Sequence, residues 1–184
     1  MHVSLAEAVA ALRAGGVVAC PTEAVWGLGC DPANIAAFER LFALKQRPPE
    51  QGVLLIAADF LQLAPYIDAS RVPDDALARV HASWPGPHTW IFPRAAGVPP
   101  WIAGGHAGIA VRVTAHPVAA ALCSTFGAAL VSTSANRHGE PPARDAAEVE
   151  AVFGDAVSIL NGPTGGLERP TPIRDAISGA YLRS

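Results

Sequence analysis

Apolar residues recur at helical spacing in some stretches of this chain and run without interruption in others, and the two patterns predict different elements. Leu5, Val9 and Leu12 share one helical face, opened by a capping box of Ser4 with Glu7 and stopped at Gly15-Gly16. "VVAC" (17–20), ended by Pro21, is a short apolar run and reads as a buried strand. Asp31-Pro32 opens a second helix carrying Ile35, Phe38, Leu41 and Phe42, and Pro48 and Pro49 require it to end near Lys45. "VLLIA" (53–57) is the second buried strand. Helices are further predicted over 59–66 and over 74–83, the latter with Leu77, Val80 and Trp84 on one side. Another starts at His116-Pro117 with Val118, Leu122 and Phe126 in line, and another is capped by Asp145 with Glu148 and buries Val149, Val152 and Phe153. The remaining strands are "HTWIFP" (88–93), "GIAVRV" (108–113), "ALVS" (129–132), "VSIL" (157–160) and "AYLR" (180–183).

Strands and helices alternate, yet some strands follow one another directly. The expected fold is therefore α/β, one domain over 1–184 with a twisted mixed parallel/antiparallel sheet and flanking helices. The glycine-rich segment 161–172 is the one long loop, and such a loop in a compact domain is commonly a functional lid.

Composition narrows the class. The chain of 184 residues is 51% hydrophobic and 16% charged, enough apolar material for a sizeable core. No run approaches the length of a membrane span and no signal peptide is evident, so no membrane association is expected. Cys20, Cys30 and Cys123 form no CxxC pair, which suits reduced thiols in a cytoplasmic protein and gives no zinc site. The net charge of −3 gives no global reason for nucleic-acid binding. Arginine is used almost everywhere that a cation stands, and Lys45 is the only lysine.

The candidate chemistry lies at strand ends. Thr22 and Glu23 follow the first strand in "PTEAVWGLGCDP", where Gly27 and Gly29 read as turn glycines of a strand-to-helix connection. "STSAN" places Ser132, Thr133, Ser134 and Asn136 within five residues, a density of hydroxyls suited either to phosphate oxygens or to turn hydrogen bonds. Lys45 and Arg47, if extended, point the same way and can meet one polyanion; as a helix end, they merely answer the helix dipole. Arg112, inside an apolar strand, needs an anionic partner, either a substrate carboxylate or Glu23 or an aspartate. There is no GxxxxGK[ST] and no GxGxxG, so a bound nucleotide would need another geometry.

"PTEAVWGLGCDP", "KQRPPEQGVLLIA", "WPGPHTWIF", "AVRVTAHP" and "VSTSAN", in this order and spacing, resemble the YrdC/TsaC threonylcarbamoyl-AMP synthase family in its short bacterial form, from about residue 4 to 183. The resemblance implies a YrdC-like sheet with a concave basic cavity. It also implies a nucleotidyltransferase reaction in which L-threonine, bicarbonate and ATP, with Mg²⁺, give threonylcarbamoyl-AMP and pyrophosphate. A partner complex would then pass the threonylcarbamoyl group to adenosine 37 of tRNA. By the same resemblance Lys45 and Arg47 are the catalytic cations on the nucleotide phosphates, with Thr89, Ser134, Asn136 and Arg183 also on the nucleotide. Thr22, Arg112, Ser132 and Thr171 are implied at threonine. Gln51 departs from the family, which carries His or Lys there in many members. The rival readings are an RNA-binding module for tRNA or structured rRNA, whose affinity would fall steeply with salt, and a carbamoyl-transfer domain like that of hydrogenase-maturation proteins.

Overall fold

The computed structural model describes residues 1–48 and 51–183. In chain order the regular elements are β1 (His2–Val3), α1 (Leu5–Arg13), β2 (Val18–Pro21), β3 (Trp26–Gly29), α2 (Ile35–Lys45), β4 (Leu54–Ala57) and α3 (Asp74–Ala82). They continue with β5 (Thr89–Pro93), α4 (Pro100–Ala103), β6 (Gly108–Val113), α5 (Pro117–Phe126), β7 (Leu130–Ser134) and α6 (Ala146–Phe153), then β8 (Ser158–Leu160), β9 (Ile173–Asp175) and β10 (Tyr181–Arg183). The ten strands form one sheet in the order β1-β8-β2-β3-β7-β4-β6-β5-β9-β10. It is mixed, as the irregular alternation of elements requires. β4 runs parallel to β6 and β5 to β9, whereas β7 is antiparallel to both of its neighbours, β3 and β4.

Both faces of the sheet are covered, and the period-two alternation of strand side chains shows it. Val18, Ile56 and Leu130 join Leu12, Ala119 and Leu122 in a core under α1 and α5. Their neighbours Ala19, Leu55 and Val131 point the other way, into a larger core with Trp26, Phe38, Trp90 and Phe92. Local signals set the helix ends. The Ser4–Glu7 capping box is complete, with Ser4 N–H donating to Glu7 Oε2 at 2.7 Å and Glu7 N–H to Ser4 Oγ at 3.4 Å. α5 opens at Pro117 and ends at Gly127, whose φ of 89° a glycine adopts freely.

Several sequence expectations are corrected. α2 begins at Ile35 rather than at Asp31-Pro32, because Asn34 is the cap and its Oδ1 accepts from Ala37 N–H at 3.1 Å. The helix expected over 59–66 is one tight turn, Phe60–Leu63, since Pro65 cannot continue it. Gly27 and Gly29 are not in a turn; they lie in β3, which pairs with β2 and β7. β7 extends through Ser134, so Ser132, Thr133 and Ser134 stand on a strand and only Asn136 follows it. Pro49, the second helix stop, lies outside the described residues.

Candidate functional site

A cavity of about 700 Å³ opens beside the central strands, a size suited to a nucleotide-scale ligand. β7 supplies Ser132, Thr133 and Ser134 to its wall; β6 supplies Ala110 and Arg112; β5 supplies Thr89 and Ile91; β10 supplies Leu182 and Arg183. Thr22, Trp26 and Gly27 come from the β2–β3 hairpin, and Arg47 from just beyond α2. Gly27 sits between Thr22 and Ser132: a Cβ there would meet Ser132 Oγ and Thr22 Cγ2 at 3.4 Å each. Its bare backbone keeps the floor of the cavity open.

The polar lining divides into two groups by hydrogen bonding. The first is built on Arg112, which is buried with Glu23. Arg112 Nη2 lies 3.3 Å from Glu23 Oε2, so the expected anionic partner is Glu23. Arg112 Nη1 donates to Thr171 Oγ1 at 2.8 Å and to Thr89 Oγ1 at 3.4 Å, and Thr114 Oγ1 donates to Glu23 Oε1 at 2.6 Å. Arg183 Nη2 donates to the Thr171 carbonyl at 2.9 Å. Thr89 and Arg183, expected on the nucleotide, are thus grouped with Arg112 and Thr171. Burial pulls the Arg112 guanidinium below its ordinary pKa, and the Glu23 carboxylate opposes that pull. Thr22 contributes its place in the wall, while its hydroxyl donates to the Val25 carbonyl at 2.8 Å.

The second group is built on Arg47 and the end of β7. Arg47 Nη1 donates to Thr133 Oγ1 at 3.2 Å and Nη2 to the Gly52 carbonyl at 2.8 Å. Lys45 does not flank it as an extended segment would place it. Lys45 is the last residue of α2, and Gln46 follows at φ 51°, in the left-handed region, so the two cations leave the backbone in different directions. Lys45 does not line the cavity. Its Nζ lies behind the wall and donates to the Ser134 carbonyl at 2.5 Å, the Asn136 carbonyl at 2.8 Å and Asn136 Oδ1 at 3.4 Å. Burial, with the Arg47 charge nearby, brings its pKa down to about 8. Asn136 also stands behind the wall, its Nδ2 donating to the Arg137 and Glu140 carbonyls at 2.9 and 2.7 Å, while Ser134 Oγ donates to its Oδ1 at 2.5 Å.

The segment 161–172 is docked on the first group. Gly165 N–H donates to the Thr22 carbonyl at 2.9 Å, Leu167 N–H to the Glu23 carbonyl at 3.0 Å, and His116 Nε2 to the Pro163 carbonyl at 3.0 Å. Gly165 lies so close that a Cβ would meet Glu23 Cα at 2.9 Å. Thr133, one of the candidate hydroxyls but assigned to no ligand, lines the cavity, and so does His106, which the sequence did not single out. Thr133 was legible as a member of the hydroxyl row; His106 had no signal beyond its neighbouring glycines. Among the described residues no group of three or more His, Cys, Asp or Glu could hold a metal ion, and no helix is long and apolar enough to cross a membrane.

Comparison with known proteins agrees with this architecture. The threonylcarbamoyl-AMP synthase of Halorhodospira halophila is 59% identical over 177 residues, covering 96% of this chain and 92% of that protein. That of Stenotrophomonas maltophilia is 54% identical over 184 residues, covering 100% and 99%. The crystal structure of P. abyssi Sua5 complexed with L-threonine superposes with a TM-score of 0.87 at 30% identity over 95% of this chain, which spans 53% of that longer protein. Residues 10–184 match the model of the Sua5_yciO_yrdC family, described as telomere recombination. On these grounds the chain belongs to the Sua5/YciO/YrdC family.

Proposed function

We propose that this chain is an L-threonylcarbamoyladenylate synthase, a nucleotidyltransferase that joins L-threonine, bicarbonate and ATP and releases pyrophosphate. The observation that carries the reading is a single cavity with two cationic stations, Arg112 with its hydroxyl partners and Arg47 beside the β7 hydroxyls. A reaction that joins a carboxylate-bearing amino acid to a triphosphate needs two such stations in one enclosure. Full-length relatives named threonylcarbamoyl-AMP synthase support it.

In this reading Arg112, Thr22, Ser132 and Thr171 receive threonine, with its carboxylate on the guanidinium. Arg47, Ser134 and the hydroxyl row receive the phosphates. Thr89 and Arg183 bridge the two, since both line the cavity beside Arg112. The threonine amine and bicarbonate form a carbamate with loss of water. A carbamate oxygen bonds to the α-phosphorus as the bond to pyrophosphate breaks, and the leaving charge falls on Arg47. No enzyme nucleophile is consumed, which agrees with burial holding the Cys20 and Cys30 thiols up at about 12. Among the described residues no carboxylate lines the cavity, so that donor set does not suit a resident Mg²⁺; magnesium enters as part of the MgATP substrate. The mixed anhydride is labile, so a threonylcarbamoyl-transfer complex acting on tRNA follows as the partner, in the cytoplasm.

The test is pyrophosphate release by the purified protein with MgATP. Release that requires both L-threonine and bicarbonate is the expected result. Threonine-independent release, or none from protein that binds ATP, would overturn the reading. The RNA-binding alternative is disfavoured by the relatives, which are named as synthases, and by Arg47, Arg112 and Arg183 gathering in the cavity wall.

A further inference from the structure

Two anions must share one cavity without exchanging places, and both stations are built on arginine. The stations differ in their charge balance. At one end Arg112 and Arg183 stand around Thr171, and Glu23 is the carboxylate at 3.3 Å from Arg112. Among the described residues the sum there is +1. At the other end Arg47 lines the wall with Lys45 behind it, and among the described residues neither cation has a carboxylate within 4.0 Å. Among the described residues the sum there is +2.

We propose that Glu23 is a specificity-determining residue that lowers the charge of the Arg112 station, so that the polyphosphate is drawn to the Arg47 end and the Arg112 station is left to a single carboxylate. This inference rests on the proposed synthase function and adds to it the means by which the two anionic substrates are sorted. Glu23 does not line the cavity and so acts through Arg112. Its position is held from several sides. Its side chain is 8% exposed, its Oε1 is held by Thr114, and its backbone is pinned by Leu167. A carboxylate behind Arg112 offsets part of the attraction of the two guanidiniums, and because that offset scales with ligand charge it lowers affinity for a polyanion more than for a monoanion. The triphosphate is thereby left to the Arg47 end, with its γ-phosphate directed away from threonine.

The experiment is competition binding by calorimetry, with inorganic pyrophosphate and L-threonine as probes, on the wild type and on two variants. In the wild type pyrophosphate and threonine should bind together, neither displacing the other. In Glu23→Gln, which keeps the side-chain shape, pyrophosphate should displace threonine, with the Arg112 station gaining about tenfold or more in affinity for it. In Arg47→Gln, pyrophosphate affinity should fall by a similar factor while threonine binding is retained. A purely structural role for Glu23 would weaken threonine binding without making pyrophosphate its competitor, and that result would overturn the proposal. Pyrophosphate that displaces threonine from the wild type would overturn it as well, without recourse to any variant. If the wild type fails to bind threonine at all, the synthase reading falls; if it binds both ligands together and Glu23→Gln does the same, only the sorting role falls.

Discussion

Lys45 shows how one backbone angle redirects a functional group. The sequence places it two residues before Arg47, and the left-handed Gln46 sends its ammonium under the β7 turn instead of beside the guanidinium. Its three oxygen acceptors set the positions of Ser134 and Asn136. Replacing it with Met should leave the fold in place and lower turnover on the order of 10²-fold, since small displacements of positioned groups carry such penalties; steady-state rates and a circular dichroism spectrum check both halves. The pH dependence has an unusual sign. The folded-state pKa is down at about 8, against an ordinary 10.5, so between those values the unfolded chain binds more protons. Stability from this group therefore rises with pH across that window, while activity falls as the ammonium is lost. Denaturation midpoints of wild type should gain on those of Lys45→Met from pH 8 to 10, and an unchanged difference would contradict the assignment.

At the scale of elements, the strands with apolar runs were legible and the glycine-bearing one was not. β4, β6 and β7 announce themselves through "VLLIA", "GIAVRV" and "ALVS", because both faces of the sheet are covered and most positions away from the cavity are apolar. β3 reads as a turn because glycine is depleted in strands. The structure gives the reason for the exception. A Cβ on Gly29 would lie 2.8 Å from the Val131 carbonyl, so β3 can approach β7 only as a bare backbone. Gly29→Ala should cost about 1–3 kcal/mol by overpacking, measured as a shift in urea midpoint. A neutral result would mean that β7 moves to accommodate it. β1 was missed because two residues are too few to show a period, and β9 because two of its three residues, Arg174 and Asp175, are charged. The helix expected over 59–66 failed on Pro65, a signal present in the sequence but outweighed by the apolar spacing of its neighbours.

The whole molecule brings to one cavity residues from Thr22 to Arg183. The motifs named most of them, since each strand end carried its own polar cluster; the sequence could not say which clusters face each other. That follows from sheet order, where β7 sits between β3 and β4 and β5 lies between β6 and β9. Pairing β5 with β9 brings Thr89 opposite Ile173, beside Thr171, and so closes the Arg112 group. These pairings join segments distant in the chain, and no local pattern encodes them.

Of the four tryptophans, Trp26 is the one in the cavity wall, while Trp84, Trp90 and Trp101 stand elsewhere. Indole emission responds to the electric field of its surroundings, and an anion entering here brings its charge close to that buried ring. The protein thus carries its own optical reporter. Titration with ATP should shift or quench the emission saturably, and Trp26→Phe should abolish the change while leaving the light from the other three.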